Sequence, residues 1–168
     1  DSAINVTTKN ILLTFDEYIT LLNPQENLII SPTVKSFPLI DYKLRNVTIK
    51  LKDSLEPNTT YSFDFVETVR DVNESNIAKG LTYAFSTGNK LDNNTYSGKV
   101  ILAETGNIDS SLLVVLHKNS SDTAIVKNKP RYYTRLNGKG EFTFRHLPAD
   151  EFSVFVIEGL NNFTKTYS

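Results

Sequence analysis

Two histidines, His117 and His146, are the only imidazoles in the chain, and there is no cysteine. Thiolate catalysis, disulfides and cysteine-ligated metals are therefore excluded. A serine nucleophile would need an activating base and a third group to orient it. No Gly-x-Ser-x-Gly elbow occurs, and neither histidine has Ser and Asp at motif spacing. Carboxylates occur in pairs at Asp16-Glu17, Asp64 with Glu67, and Asp150-Glu151. Glycosidic acid and base work needs two carboxyl groups converging on one bond, whereas neighbours on a strand point to opposite faces. Asp71, Asn73 and Glu74, with Asn76, offer calcium the oxygen ligands it takes. Their spacing lacks the glycine and distal glutamate of an EF-hand. The competing reading is a loop whose short polar side chains bond their own backbone. No catalytic residue, cofactor or metal is expected, with Asp71, Asn73 and Glu74 as the weak metal candidates.

Two further stretches invite a ligand. Asn137-Gly138-Lys139-Gly140 is glycine-rich, but no helix follows to supply an anion site. Two glycines free to take positive φ predict a tight hairpin instead. Lys127 to Arg135 is richer in possibilities. Lys127, Lys129, Arg131 and Arg135 carry positive charge with no acid among them, and Tyr132 and Tyr133 lie inside. Interleaved cations and aromatics can hold a sugar or a peptide. Lys129, Arg131, Tyr132, Tyr133 and Arg135 are thus the candidate ligand-binding residues, with one tyrosine expected in the core and the other exposed.

The elements that must position these residues read as strands. Phe63 and Phe65 continue the alternation begun at Tyr61, and Leu81, Tyr83 and Phe85 alternate again, each with polar or small residues between. Ile11, Leu13 and Phe15 alternate with Leu12 and Thr14, and Val47, Ile49 and Leu51 with Thr48 and Lys50. Leu28-Ile29-Ile30 is halted by Pro32, and Thr33 to Phe37 reads as a further extended segment before Pro38. Past a polar connector at Gly88 to Asn94, Leu112 to Leu116 reads as a strand covered on both faces. Phe142 and Phe144 share a face, and Val154 is expected in the core with them. No segment sustains a helical period over three turns, and Val66 to Ala78 is allowed one short turn. With 168 residues and a formal charge of −1, the chain can bury a substantial core, and nothing draws it to nucleic acid or an anionic membrane.

Leu55 to Gly88, closing on Phe85-Ser86-Thr87-Gly88, resembles the bacterial Ig-like family first seen in surface-layer and surface-lipoprotein proteins; the likeness covers roughly residues 9 to 88. Ser97, Gly98, Val100, Gly140, Phe142, Leu147, Pro148, Phe152 and Val154 resemble the transthyretin-like, carboxypeptidase-regulatory-like sandwich. Ala149-Asp150-Glu151 departs from that family's glycine and aromatic after the Leu-Pro turn. Lys129-Pro130-Arg131-Tyr132-Tyr133 is similar to a stretch that recurs in surface lipoproteins. The expected fold is all-β: two successive antiparallel β-sandwich domains, Ig-like over residues 1–89 and transthyretin-like over 90–168.

The order of these modules resembles exported, often lipid-anchored, surface proteins of Bacteroidetes. The resemblance implies a non-catalytic spacer, scaffold or adhesion module at the cell surface or outer membrane. Its membrane link would be an anchor outside this sequence, consistent with a chain that opens on Asp1 rather than Met. Partners would be other surface proteins, a glycan or a peptide, and not nucleic acid. The alternatives are a dedicated glycan- or peptide-binding module and an accessory domain of a larger surface hydrolase.

Overall fold

The computed structural model describes residues 3–74, 76–118 and 128–158. They form two compact units: one holds residues up to Ile30 and Val34–Leu91, the other Ser31–Thr33 and the residues from Asp92 onward. The division falls inside the polar connector, between Leu91 and Asp92.

In the first unit, β1 (Asn10–Thr14), β5 (Asn46–Lys50) and β4 (Leu39–Lys43) form one antiparallel sheet with β5 central. A second sheet sets β6 (Thr60–Asp64) between β3 (Ile29–Ser31) and β8 (Thr82–Ser86). A ribbon of β2 (Ile19–Leu21) and β7 (Val69–Asp71) completes the unit. The register of β6 on β8 places Tyr61 opposite Phe85 and Phe63 opposite Tyr83. Tyr61 stacks on Phe85 with ring centroids 5.3 Å apart, and Phe63 lies 6.1 Å from the same ring. Phe63, Phe65 and Phe85 are fully buried beside Val47 and Ile49. Burial of each such side chain contributes about 1.5–3 kcal/mol.

Three sequence expectations change here. Thr33 to Phe37 is irregular, because the flanking Pro32 and Pro38 remove ladder donors, and the strand follows as β4. β6 is buried on both faces, since the small residues Thr60, Ser62, Ala84 and Ser86 are covered as well as the aromatics. Val66 to Ala78 holds strand β7 rather than a helical turn, while a one-turn helix α1 (Pro24–Asn27) opens on proline. Among the described residues no helix is longer.

The second unit pairs β12 (Glu141–Leu147) with β9 (Asn94–Lys99), and sets β10 (Leu113–His117) between β11 (Tyr132–Arg135) and β13 (Ser153–Ile157). All of β10 is buried, as its unbroken apolar run predicts. Its two faces meet different surroundings. Val114 and Leu116 join Tyr132, Phe142, Phe144 and Leu147, whereas Leu113 and Val115 meet Tyr133, Phe155 and Ile157.

Two corrections follow. Asn137 to Gly140 does not close a hairpin, because β11 and β12 belong to different sheets, and only Gly140 takes positive φ, at 75°. Val154 is 41% exposed, not core, because β13 is an outer strand in the order β11-β10-β13.

Candidate functional site

The basic-aromatic stretch is divided by strand alternation. Lys127 lies outside the described residues, and Lys129 is exposed ahead of β11. Tyr132 is 3% exposed, packed edge-on against Phe152 at 5.4 Å, and its ring is withdrawn from any ligand. The Arg131 guanidinium lies 6.0 Å from the centre of that ring, while the Arg131 carbonyl accepts a bond from the Thr33 N–H at 2.9 Å. Tyr133 and Arg135 share the opposite face, beside Leu113 and Val115. Burial pushes the Tyr133 phenol up, and the charge of Arg135 works against that shift. The tyrosines therefore form no joint platform, and Tyr133, half-buried, keeps the more accessible ring.

The acidic loop is occupied by its own backbone. Asp71 accepts bonds from the N–H groups of Asn73 (2.8 Å) and Glu74 (2.9 Å), one on each carboxylate oxygen. Asn76 donates to Glu74 at 2.8 Å. Glu17 joins them from the neighbouring loop. The charge on Asp71 raises its carboxyl pKa most, followed by partial desolvation and by Asp16 and Glu74. Asp16-Glu17 lies in that loop and not on a strand, with both residues exposed. Among the described residues no group of three or more His, Cys, Asp or Glu is placed to hold a metal.

Neither histidine has a catalytic geometry. His146 takes φ 57° where the β12–β9 register shifts, and its Nδ1 lies 3.1 Å from the Asp92 carbonyl, which can only accept. His117 is buried at the end of β10, edge-on to Phe155 at 5.9 Å, with no partner for Nε2 among the described residues. Burial lowers its pKa.

A groove of about 490 Å³ beside β9 and β13 is lined by Tyr96, Leu116, Leu147, Phe152 and Val154, with Asp150 at its edge. Asp150 is committed elsewhere. One carboxylate oxygen is 2.7 Å from Lys118 and the other accepts from the Glu151 N–H at 2.9 Å. These contacts hold its carboxyl below the usual range, so no raised general acid is available there. The Asn137 turn is likewise closed upon itself. Its Oδ1 accepts from the N–H groups of Lys139 and Glu141, both at 2.9 Å, leaving no cradle for phosphate.

The most connected polar cluster is structural. The Tyr61 hydroxyl accepts from the Glu56 N–H at 2.8 Å, a bond of the kind that fixes a tyrosine corner in Ig-type sandwiches. Thr87 Oγ1 donates to the Glu56 carbonyl at 2.7 Å and accepts from the Thr59 N–H at 2.9 Å. Ser86 Oγ accepts from the Gly88 N–H at 3.1 Å. A Cβ on Gly88 would sit 3.1 Å from the Asn58 Cα, a tight approach that a larger residue could make only if Asn58 gave way slightly. Ser86-Thr87-Gly88 thus ties β8 to the Leu55–Thr59 turn. A bacterial Ig-like domain matches residues 1–87, about half of the sequence, and ends within this corner at Thr87. The chain belongs to the bacterial Ig-like domain family. Bacterial Ig-like domains are non-catalytic structural modules. Neither curated proteins nor solved structures provide a match. Among the described residues no helix is long and apolar enough to cross a membrane.

Sequence reasoning found the Ig-like strands but missed the hydroxyl of Tyr61 as a corner bond. Its signal was present: a tyrosine shortly after a Pro-Asn turn, at the start of an aromatic strand.

Proposed function

We propose that this bacterial Ig-like domain and the unit after it serve as a spacer or adhesion module of an exported cell-surface protein. The second unit is read as transthyretin-like, and the anchor as lying outside this sequence. The observation that carries the reading is the Ser86-Thr87-Gly88 corner, where the family's closing motif is spent on holding strands and turn together. The transthyretin-like reading draws support from Gly98 and Gly140. A Cβ on Gly98 would come within 2.7 Å of the Phe142 ring, and one on Gly140 within 2.5 Å of the Val100 carbonyl oxygen. The glycines of the motif are thus ones that this packing requires.

The test is replacement. In cells carrying the complete gene, an unrelated sandwich of similar size substituted for residues 1–168 should retain surface display, with adhesion retained if the role is that of a spacer and lost if it is adhesion. Loss of adhesion with display intact would reject the spacer role, and failure of a surface label to reach the native protein would reject export.

The glycan- or peptide-binding alternative rests on Lys129, Arg131, Tyr133 and Arg135, a cationic stretch with a half-buried ring. A glycan array is expected to be blank for the native chain. A micromolar signal lost in Tyr133→Ala, typically about 1–3 kcal/mol for such an anchor, would instead establish binding.

A further inference from the structure

One end of the first unit carries exposed apolar side chains that the fold does not require. Tyr18 and Val72 extend the β2–β7 ladder outward: the Val72 N–H donates to the Tyr18 carbonyl at 2.9 Å, yet the two residues are 50% and 55% exposed. Leu44 joins them, since its carbonyl accepts from the Ile19 N–H at 2.9 Å, and it is 62% exposed. It sits in the two-residue link between β4 and β5 at φ 57°. That left-handed conformation favours glycine or asparagine at a hairpin turn, and a leucine there is strained. A strained, solvent-facing leucine beside an exposed tyrosine and valine is poor design for a bare tip and suits an anchor.

The rim supplies the choice of partner. Asp16 and Glu17 precede Tyr18, while Asp71 and Glu74 bracket Val72. No ion pair involving these acids occurs among the described residues. Glu17 is acted on by three neighbouring acids and by no cation, while Lys43 and Arg45 flank Leu44 in sequence. A cationic partner would relieve that repulsion.

We propose that the Tyr18–Leu44–Val72 tip docks a polypeptide segment presenting an apolar anchor flanked by lysine or arginine. A pure spacer needs no such surface, so the inference goes beyond the function proposed above and stands without it.

The full chain should be titrated by fluorescence anisotropy with synthetic peptides whose central Leu or Phe is flanked by Lys, by Ser or by Glu. The Lys-flanked set is expected to bind best, and to weaken as salt rises from about 0.1 M to about 1 M, where the screening length falls from ~10 Å to ~3 Å. Leu44→Asp should weaken binding by about tenfold or more. Leu44→Gly relieves the turn while removing the anchor, so loss of binding in that variant cannot be unfolding. Glu17→Gln with Glu74→Gln should weaken the Lys-flanked peptides severalfold at an unchanged melting temperature. Equal binding of all three sets, undiminished binding by Leu44→Gly, or no binding at about millimolar peptide would overturn the proposal. So would a sedimenting dimer that Leu44→Asp dissolves, because the tip would then be occupied by a second copy.

Discussion

His117 shows how one residue makes the second unit sensitive to acid. Its ring is buried against Phe155, Nε2 has no partner among the described residues, and burial lowers its pKa. The unfolded chain therefore binds the proton more readily than the folded one. The resulting stability is fully present above the ordinary value of about 6.5 and is lost as pH falls from there toward the lowered folded value. The expected result is that urea midpoints of the native chain drop between neutral and mildly acidic pH, with a slope of at most about 1.4 kcal/mol per pH unit from this group. His117→Leu should flatten that dependence; an unchanged slope would show that another group carries it. Residue chemistry of this kind was only half legible in the sequence. The absence of histidine partners at motif spacing could be read directly, but burial depends on which face of β10 the ring shares with Phe155.

Elements were legible where alternation was strong and turn chemistry ordinary. Tyr61, Phe63 and Phe85 declared their strands, and the unbroken Leu112 to Leu116 run declared a strand covered on both faces. β4 went unread because Leu39–Lys43 carries mixed polarity and its link to β5, Leu44-Arg45, has no glycine or asparagine to mark a turn. Asn137 to Gly140 misled in the opposite way: hairpin chemistry serves there as a passage between sheets, which only the pairing of β12 with β9 reveals. The glycines of the second unit give a graded test of this packing. Gly98→Ala drives a methyl group into the Phe142 ring, itself held between Tyr96 at 5.6 Å and Phe144 at 5.9 Å. It should cost about 1–3 kcal/mol. Gly138 has nothing within 4 Å of an added Cβ and no positive φ, so Gly138→Ala should be neutral or stabilise by up to about 1 kcal/mol. Denaturant midpoints at constant slope are the measurement, and a reversed order would mean that β9 and β12 pack differently.

At the scale of the whole molecule, the division into two units and the all-β class were legible because the polar connector interrupts two separate strand patterns. The candidate ligand stretch was legible as composition but not as a surface, since alternation sent Tyr132 inward. The first unit's opening segment has a mechanical consequence. Ala3 bridges Phe85 in parallel. Bonds run from Ser86 N–H to the Ala3 carbonyl (2.8 Å), from Asn5 N–H to the Gly88 carbonyl (2.8 Å), and from Val6 N–H to the Ser86 carbonyl (3.0 Å). The unit is therefore closed by two neighbouring segments that run the same way, one entering and one leaving. Tension applied through the chain pulls them in opposite directions along their shared axis, loading the three bonds together rather than one after another. Rupture under load follows the unfolding rate rather than the equilibrium stability. Single-molecule stretching of the chain should show the first unit yielding at lower force in Val6→Pro, which deletes one of the three donors, than in the native protein. Equal forces would place the mechanical barrier elsewhere. A module tethered to a surface and gripped from outside would meet force along this line, and its entry and exit segments are laid to resist shear.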